Sequence, residues 1–383
     1  MALADRLTCW AITTPGLESL LEGELGSLGL VAGAIEPGGV TFEANAAGLA
    51  RALIGLRTAS RVAVRLAAFH ARSFPELERH AATVEWGDVI APGHAVHFRV
   101  TSRKSKLYHH DGVAERLERA VVLQHRTVEP VRAPSRAEAI ESPGADPPAL
   151  QRILVRVLRD EVVLSADAAG ALLHLRGYRQ AVAKAPLRET LAAALLLASG
   201  WDATLPLADP FCGSGTIAIE AAMIARRLAP GRARRFAAEN WPGFAAPFAA
   251  ARAEARSREL PSGPASIAAS DRDAGAIEAL RANAGRAGVA GDITSTRAPI
   301  SALQPDSRSG WVVSNPPYGA RIGERSALRD LYATLGRVVR ERRPNWHLAM
   351  LSADRMLDAQ TKLSLSEILR TTNGGIPVRI VRT

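Results

Sequence analysis

Three short stretches carry residue types whose spacing supports chemistry. Asn315-Pro316-Pro317-Tyr318-Gly319 follows the apolar run Trp311–Ser314. Two successive prolines fix an extended backbone and remove two N–H donors. The carboxamide oxygen of Asn315 and the carbonyl of Pro316 are then paired acceptors, with an aromatic face from Tyr318 beside them. Such a set suits a planar ring carrying an exocyclic amino group: two acceptors take its two N–H groups and the ring stacks on the phenol. A plain turn after a strand is the alternative, although prolines flanked by both Asn and Tyr are not the usual turn set.

The second stretch is Asp209-Pro210-Phe211-Cys212-Gly213-Ser214-Gly215-Thr216, between the short apolar run Leu205–Ala208 and a helical pattern over Ile217–Leu228. Gly213 and Gly215 let the backbone approach a ligand and adopt conformations closed to other residues. Alone, this loop also reads as a dinucleotide fingerprint or as a tight strand-to-helix turn. The third stretch, Ser270-Asp271-Arg272-Asp273, ends the run Ala265–Ala269, and a carboxylate there can hold two ribose hydroxyls. Asp271 lies 56 residues beyond Gly215. The dinucleotide pattern wants its acid about 20 residues on, which argues against a dehydrogenase. Asp273 is expected to cap a helix. Ser214 stands one position from each glycine, which is not the spacing of a nucleophile elbow. His109 and His110 are adjacent rather than at ligand spacing, so no metal is expected.

Elements able to position these stretches alternate from Pro186 onward. Leu187–Ser199, Ile217–Leu228, Ala274–Ala287 and Leu328–Arg342 read as helices; Leu205–Ala208, Ala265–Ala269, Trp311–Ser314 and His347–Leu351 read as strands. That order implies a doubly wound, mostly parallel α/β sheet, interrupted by an Ala/Arg/Pro-rich insertion over Pro230–Pro264. The first residues differ. Leu7–Thr13, Leu17–Leu28, a hairpin of Val31–Glu36 and Val40–Glu43, a helix over Ala46–Leu56 capped by Asn45, and Arg61–Ala67 give the β-α-β-β-α-β order of a ferredoxin-like unit. A second small unit follows, with helices over Pro75–Thr83 and Gly112–Leu123, a strand Ala95–Thr101, and a hairpin of Arg152–Leu158 and Val162–Asp167. Five prolines between residues 130 and 148 mark a loop.

Composition bounds the rest. The chain has 383 residues, 47% hydrophobic and 22% charged, which excludes disorder and fibre. Two cysteines, Cys9 and Cys212, exclude a disulfide scaffold, and no apolar run approaches the roughly 20 residues of a membrane span. A cytoplasmic protein is expected. Net charge is −5 over residues 1–50, +6 over 51–180 and +9 over 181–383. An acidic start before a basic remainder fits a polyanionic partner, with genomic base composition as the alternative for so Arg-rich a chain.

Taken in order, Asp209–Thr216, Asp271 and Asn315–Tyr318 resemble the motifs of class I S-adenosylmethionine-dependent methyltransferases acting on amino groups of bases. Leu173-His174-Leu175-Arg176-Gly177-Tyr178-Arg179 and Ala185-Pro186-Leu187-Arg188-Glu189-Thr190-Leu191 are similar to the junction in THUMP-domain RNA methyltransferases. Thr14-Pro15-Gly16-Leu17-Glu18 and the Tyr108-His109-His110 segment extend the likeness to the bacterial 23S rRNA guanine-N2 methyltransferases, over essentially the whole chain. The resemblance implies a Rossmann-like methyltransferase domain at 173–383, preceded by a ferredoxin-like domain at 1–67 and a THUMP RNA-binding domain at 68–172. It implies S-adenosylmethionine held by Asp209–Thr216 and Asp271, a target amino group held by Asn315–Tyr318, and RNA gripped by Arg99, Arg103, Lys104 and Lys106. The same parts would serve a tRNA guanine-N2 methyltransferase. A DNA adenine-N6 methyltransferase shares Asn-Pro-Pro-Tyr but not the front half, and a non-catalytic RNA-binding or assembly factor would not need both cofactor loop and acceptor pair. Relatives usually carry an acid facing the adenine after the third strand of the sheet; here that place falls on Ala298-Pro299. Many also carry a second methyltransferase, whereas this chain ends at Thr383.

Overall fold

Alternation of apolar and polar residues in the first 170 positions builds one eight-stranded sheet. The structure, a computed structural model, describes residues 3–125, 128–130, 150–180, 187–303, 307–318, 325–342 and 345–383. Most of the proline-rich loop, Ala185 and Pro186 of the junction, and Gly319 lie outside the described residues. Strands β1 (Leu7–Ile12), β2 (Ala32–Glu36), β3 (Gly39–Ala44) and β4 (Arg61–His70), with helices α1 (Glu18–Ser27) and α2 (Ala46–Gly55), follow the expected ferredoxin-like order. Asn45 caps α2, its side chain accepting from Gly48 N at 2.9 Å. Next come α3 (Phe74–Ala81), β5 (Ala95–Arg103), α4 (His110–Gln124), β6 (Glu129–Pro130), β7 (Leu150–Leu158) and β8 (Glu161–Asp167). The spatial order is β2-β3-β1-β4-β8-β7-β5-β6. Strand β4 runs through the boundary expected at residue 67 and pairs with β8, so one sheet passes through residues 1–67 and 68–172. The tight turn between β7 and β8 falls on Arg159-Asp160, both at positive φ.

The second sheet has the order β11-β10-β9-β12-β13-β15-β14. In chain order the elements from residue 189 onward are α5 (Glu189–Ser199), β9 (Leu207–Asp209), α6 (Thr216–Ala225), α7 (Ala245–Ser257), β10 (Ile267–Asp271), α8 (Ala274–Ala287), β11 (Ile293–Arg297), β12 (Gly310–Ser314), α9 (Arg325–Arg337), β13 (Trp346–Ser352), α10 (Arg355–Gln360), β14 (Ser366–Asn373) and β15 (Ile376–Arg382). Strands β9 to β13 are parallel, and the hairpin β14–β15 adds antiparallel strands at one edge. Both faces are covered. Val313 is buried among α5 and α6 residues, and its neighbour Val312 among Tyr332, Leu335 and Val339 on the other side. The chain passes from β9 outward to β10 and β11, then returns to the far side of β9 as β12. Ligands bind outside the carboxyl ends of strands at such a switch point. The expected doubly wound sheet is present; β11 and the closing hairpin were not legible as strands.

The insertion has a structure that its composition conceals. Residues up to Thr13, Glu22–Leu173 and Gly231–Glu254 form one compact unit, and Thr14–Leu21, His174–Pro230 and Ala255–Thr383 the other. Within the first unit, Trp241 Nε1 donates to Gln151 Oε1 at 2.7 Å, and Arg234 donates to the carbonyls of Leu172 and Ala171 at 2.6 and 2.8 Å. Phe236, Trp241, Phe244 and Phe248 are all buried there. The insertion thus supplies a packed apolar layer to the first unit. Among the described residues no helix is long and apolar enough to cross a membrane.

Candidate active site

The end of β9 turns into α6 through the glycine-rich loop. Gly213 and Gly215 take φ of +52° and +88°, the left-handed region that other residues avoid. A Cβ on Gly215 would stand 2.6 Å from Leu280 Cγ on α8, whereas one on Gly213 would meet no described neighbour within 4 Å. Gly215 therefore permits close helix packing, and Gly213 borders open space. Gly213 N donates to Asp271 Oδ2 at 3.1 Å and Cys212 N to the Ser270 carbonyl at 3.1 Å, stitching the loop to the end of β10. Asp273 caps α8 as expected, accepting from Gly275 N at 2.9 Å. Sequence reasoning missed Asn283, a buried α8 residue whose Nδ2 donates to the Ser214 carbonyl at 3.1 Å.

Asp209 is the buried centre of the site, 1% exposed. Its Oδ1 accepts from Phe211 N at 3.2 Å and from the Ser314 hydroxyl, while Oδ2 is buried without a hydrogen-bond partner among the described residues. Burial raises its pKa to about 7; the nearby charge of Asp271 adds to this, and the two donated hydrogen bonds oppose it. Ser314, also missed in the sequence, carries this bridge from β9 to β12. Cys212 is a buried thiol whose pKa burial pushes up, so it is no thiolate nucleophile.

Beyond Ser314 the chain presents Asn315, whose Oδ1 is buried and unpartnered among the described residues. Pro316 is buried and Pro317 exposed. Two residues invisible to motif reasoning hold Pro317 and Tyr318 in place. Tyr332 of α9 donates its hydroxyl to the Pro317 carbonyl at 3.5 Å, and Asn373 Nδ2 donates to the Tyr318 hydroxyl oxygen at 2.7 Å. Asn373 pairs with Ile376 across the Gly374-Gly375 turn of the β14–β15 hairpin. Tyr318 is half-buried, and its phenol pKa is raised by burial.

The structure thus joins Asp209–Thr216 to Asp271 and, through Ser314, to the segment Asn315–Tyr318. Arg99, Arg103, Lys104 and Lys106 lie in the first unit, all exposed, on β5 and the loop after it. Lys106 N donates to Asp160 Oδ1 at 2.8 Å, which shapes that loop. No group of three or more His, Cys, Asp or Glu able to hold a metal occurs among the described residues.

The buried Asp209 gives a pH prediction. Folded, it keeps a proton up to about pH 7 that it loses near 3.8, its ordinary pKa, when unfolded. The folded state therefore binds more protons across that window, and this group's contribution to stability falls as pH rises through it. Asp209→Asn keeps the acceptor for Ser314 and removes the titration. Urea unfolding at about pH 5 and about pH 8 should show the variant gaining on the wild type at the higher pH. Parallel pH profiles would contradict the assignment.

Residues 176–381 match the family of RMKL-like methyltransferase domains, and residues 8–63 match the RlmL ferredoxin-like domain. A Synechocystis protein named "Putative RNA methyltransferase slr0064" is 31% identical over 97% of this chain and 95% of its own length. The ribosomal RNA large subunit methyltransferase K/L of Syntrophotalea carbinolica is 33% identical over 97% of this chain, which spans 53% of that longer protein. Among solved structures, SMU.472, described as a putative methyltransferase complexed with SAH, superposes with a TM-score of 0.86 at 29% identity, covering 99% of this chain and 98% of that one. A Listeria monocytogenes protein described as a predicted N6-adenine-specific DNA methylase gives 0.84 at 32% identity, with 98% and 96% covered. By these matches and by its doubly wound sheet, the chain belongs to the RMKL-like methyltransferase family.

Proposed function

We propose that the protein transfers a methyl group from S-adenosylmethionine to the exocyclic N2 of a guanine in 23S rRNA. The observation that carries this reading is the buried, unpartnered Oδ1 of Asn315, held beside the glycine-rich loop by the Asp209–Ser314 bridge. An acceptor buried without a donor costs roughly 1–3 kcal/mol, which an amino group of the target would recover. The cofactor fits the same surroundings. Gly213 borders open space at a left-handed φ, Asp209 Oδ2 is a second orphaned polar atom, and Asp271 ends the adjacent strand. Asp209–Thr216 would hold the methionine end and Asp271 the ribose. Bound there, S-adenosylmethionine supplies an electrophilic methyl group on a sulfonium.

The protein's own part is positioning. An aromatic amine is a weak nucleophile because its lone pair is spread into the ring. Acceptance of its N–H groups by Asn315 Oδ1 and the Pro316 carbonyl would hold the nitrogen pyramidal and aim that lone pair. The Tyr318 ring supplies the stacking face, and Asn373 and Tyr332 hold the loop that carries it. The methylated nitrogen is strongly acidic and sheds its proton readily, so no dedicated base is required. Residues 68–172 would act as a THUMP-type RNA-binding domain through Arg99, Arg103, Lys104 and Lys106, in a cytoplasmic setting. The acceptor pair would equally suit adenine N6, as the name of the Listeria neighbour suggests. The ferredoxin-like match and the relatives named for RNA favour RNA. A tRNA guanine remains the second substrate to test.

Calorimetric titration checks the cofactor site. Gly213→Val should abolish S-adenosylmethionine binding, since a side chain there enters the open space beside Asp271 at a positive φ, and Asp271→Ala should weaken it by roughly 1–3 kcal/mol. Unchanged affinity in both variants would overturn the assignment. Single-turnover methylation of rRNA fragments with saturating cofactor checks the chemistry. Asn315→Ala should slow turnover by about 10²–10³ with little change in affinity for either ligand. Tyr318→Ala should also weaken base capture, by about 1–3 kcal/mol. Tyr318→Phe and Asn373→Ala should be milder and non-additive, because both remove the same hydrogen bond. A folded Asn315→Ala protein that binds both ligands and methylates at the wild-type rate would sink the mechanism.

A further inference from the structure

The eight-stranded sheet of the first unit has two unlike faces. Val62, Val64, Ile153, Val155, Val96 and Phe98 point to one side and are buried. Their sequence neighbours point to the other, because side chains alternate along a strand. Register places Arg65, Ser165, Leu154 and Arg99 in one row across β4, β8, β7 and β5. Arg156 and Arg103 share that face further along β7 and β5, and Trp10 shares it on β1, opposite Ala63 of β4. Arg99, Arg103 and Arg156 are exposed, and Arg65 and Trp10 half-buried.

Acidic groups do not balance these arginines. The buried Asp167 pairs with Arg61 and, at 3.3 Å, with Arg152. Glu43 takes Arg6 at 3.4 Å, and Glu161 lies at the far end of the face opposite His70 and Leu158. Among the described residues, Arg65, Arg99, Arg103 and Arg156 have no ion-pair partner. Crowding of like charge is felt by Arg61, whose guanidinium pKa falls to about 9, first through burial and then through Arg152, Arg99 and Arg234. Such a cluster is stabilised by a polyanion laid across it. The pairing of Arg156 with Trp10 points to bases as well as phosphates: the guanidinium lies over the indole ring, 5.4 Å from its centroid. Sheet surfaces that recognise single-stranded RNA combine cations for the backbone with aromatic or guanidinium planes on which bases stack.

We propose that this open sheet face is a platform for single-stranded RNA, with phosphates met by Arg65, Arg99 and Arg103 and a base received by the Trp10–Arg156 stack. The proposal rests on the RNA methyltransferase reading and adds residues on β1, β4 and β7 to the cations of the loop after β5. Fluorescence anisotropy of the full chain with labelled oligouridylate of about 20 nucleotides tests it, with a duplex of equal length alongside. Arg65→Glu combined with Arg156→Glu should weaken single-strand binding at least tenfold. It should also flatten the log–log salt slope by about 0.7, the contribution of the one single-strand phosphate assigned to Arg65. Trp10→Leu should weaken binding severalfold with the slope unchanged. Unaltered circular dichroism and thermal midpoint establish that each variant is folded. If Lys104→Glu with Lys106→Glu impairs binding while the Arg65/Arg156 pair and Trp10→Leu do not, the platform is overturned and the RNA reading stands. Equal binding of the duplex, equally sensitive to the same changes, would overturn the single-strand assignment. A wild-type chain that binds RNA weakly and without salt dependence would remove the RNA reading itself.

Discussion

A single buried carboxylate determines how the catalytic sheet presents its chemistry. Asp209 ends β9 and accepts the hydroxyl of Ser314, the last residue of β12. These strands are parallel neighbours at the point where the chain reverses its direction of winding. The bridge therefore sets the start of the glycine-rich loop against the start of the Asn-Pro-Pro-Tyr segment. Everything else at the site adjusts to that pairing. Asp271 holds Gly213, Asn283 holds the Ser214 carbonyl, Tyr332 holds Pro317 and Asn373 holds Tyr318. Each contact fixes a backbone or ring of these two segments, and none of them uses the two orphaned polar atoms, Asp209 Oδ2 and Asn315 Oδ1.

Those orphaned atoms explain why the site needs so much support. A buried polar atom without a partner costs roughly 1–3 kcal/mol, so the segments bearing them would relax if the surroundings allowed it. The surroundings do not. Helix α5 is buried along nearly its whole length, and Val312 and Val313 are sealed on opposite faces of β12. Rigid packing keeps these groups in place before any ligand arrives, and catalysis by positioning depends on such preorganisation.

How much of this is legible in the sequence depends on the range of each interaction. Strand-to-helix alternation, the N-cap roles of Asn45 and Asp273, and the three motif segments are local patterns, and all stand where the residues suggest. The hidden features depend on partners distant in sequence. Ser314 is one more small residue in an apolar strand until Asp209 is placed beside it, 105 residues away. Asn373 gains its place only from a hairpin whose first strand carries too many polar residues to announce itself. The Ala, Arg and Pro content of residues 230–264 masks the four aromatics that pack into the first unit. The basic excess, too, is a sum along the chain; only strand register shows that arginines from β4, β5 and β7 share one face.

The most direct test of the central claim is mass mapping of methylated nucleotides in rRNA and tRNA from a strain lacking this gene, complemented with the wild type or with Asn315→Ala. Loss of one N2-methylguanine from 23S rRNA, restored by the wild type and not by Asn315→Ala, is the result the account requires. Full guanine N2 methylation in the deletion strain, or loss of an adenine N6 mark instead, would contradict it.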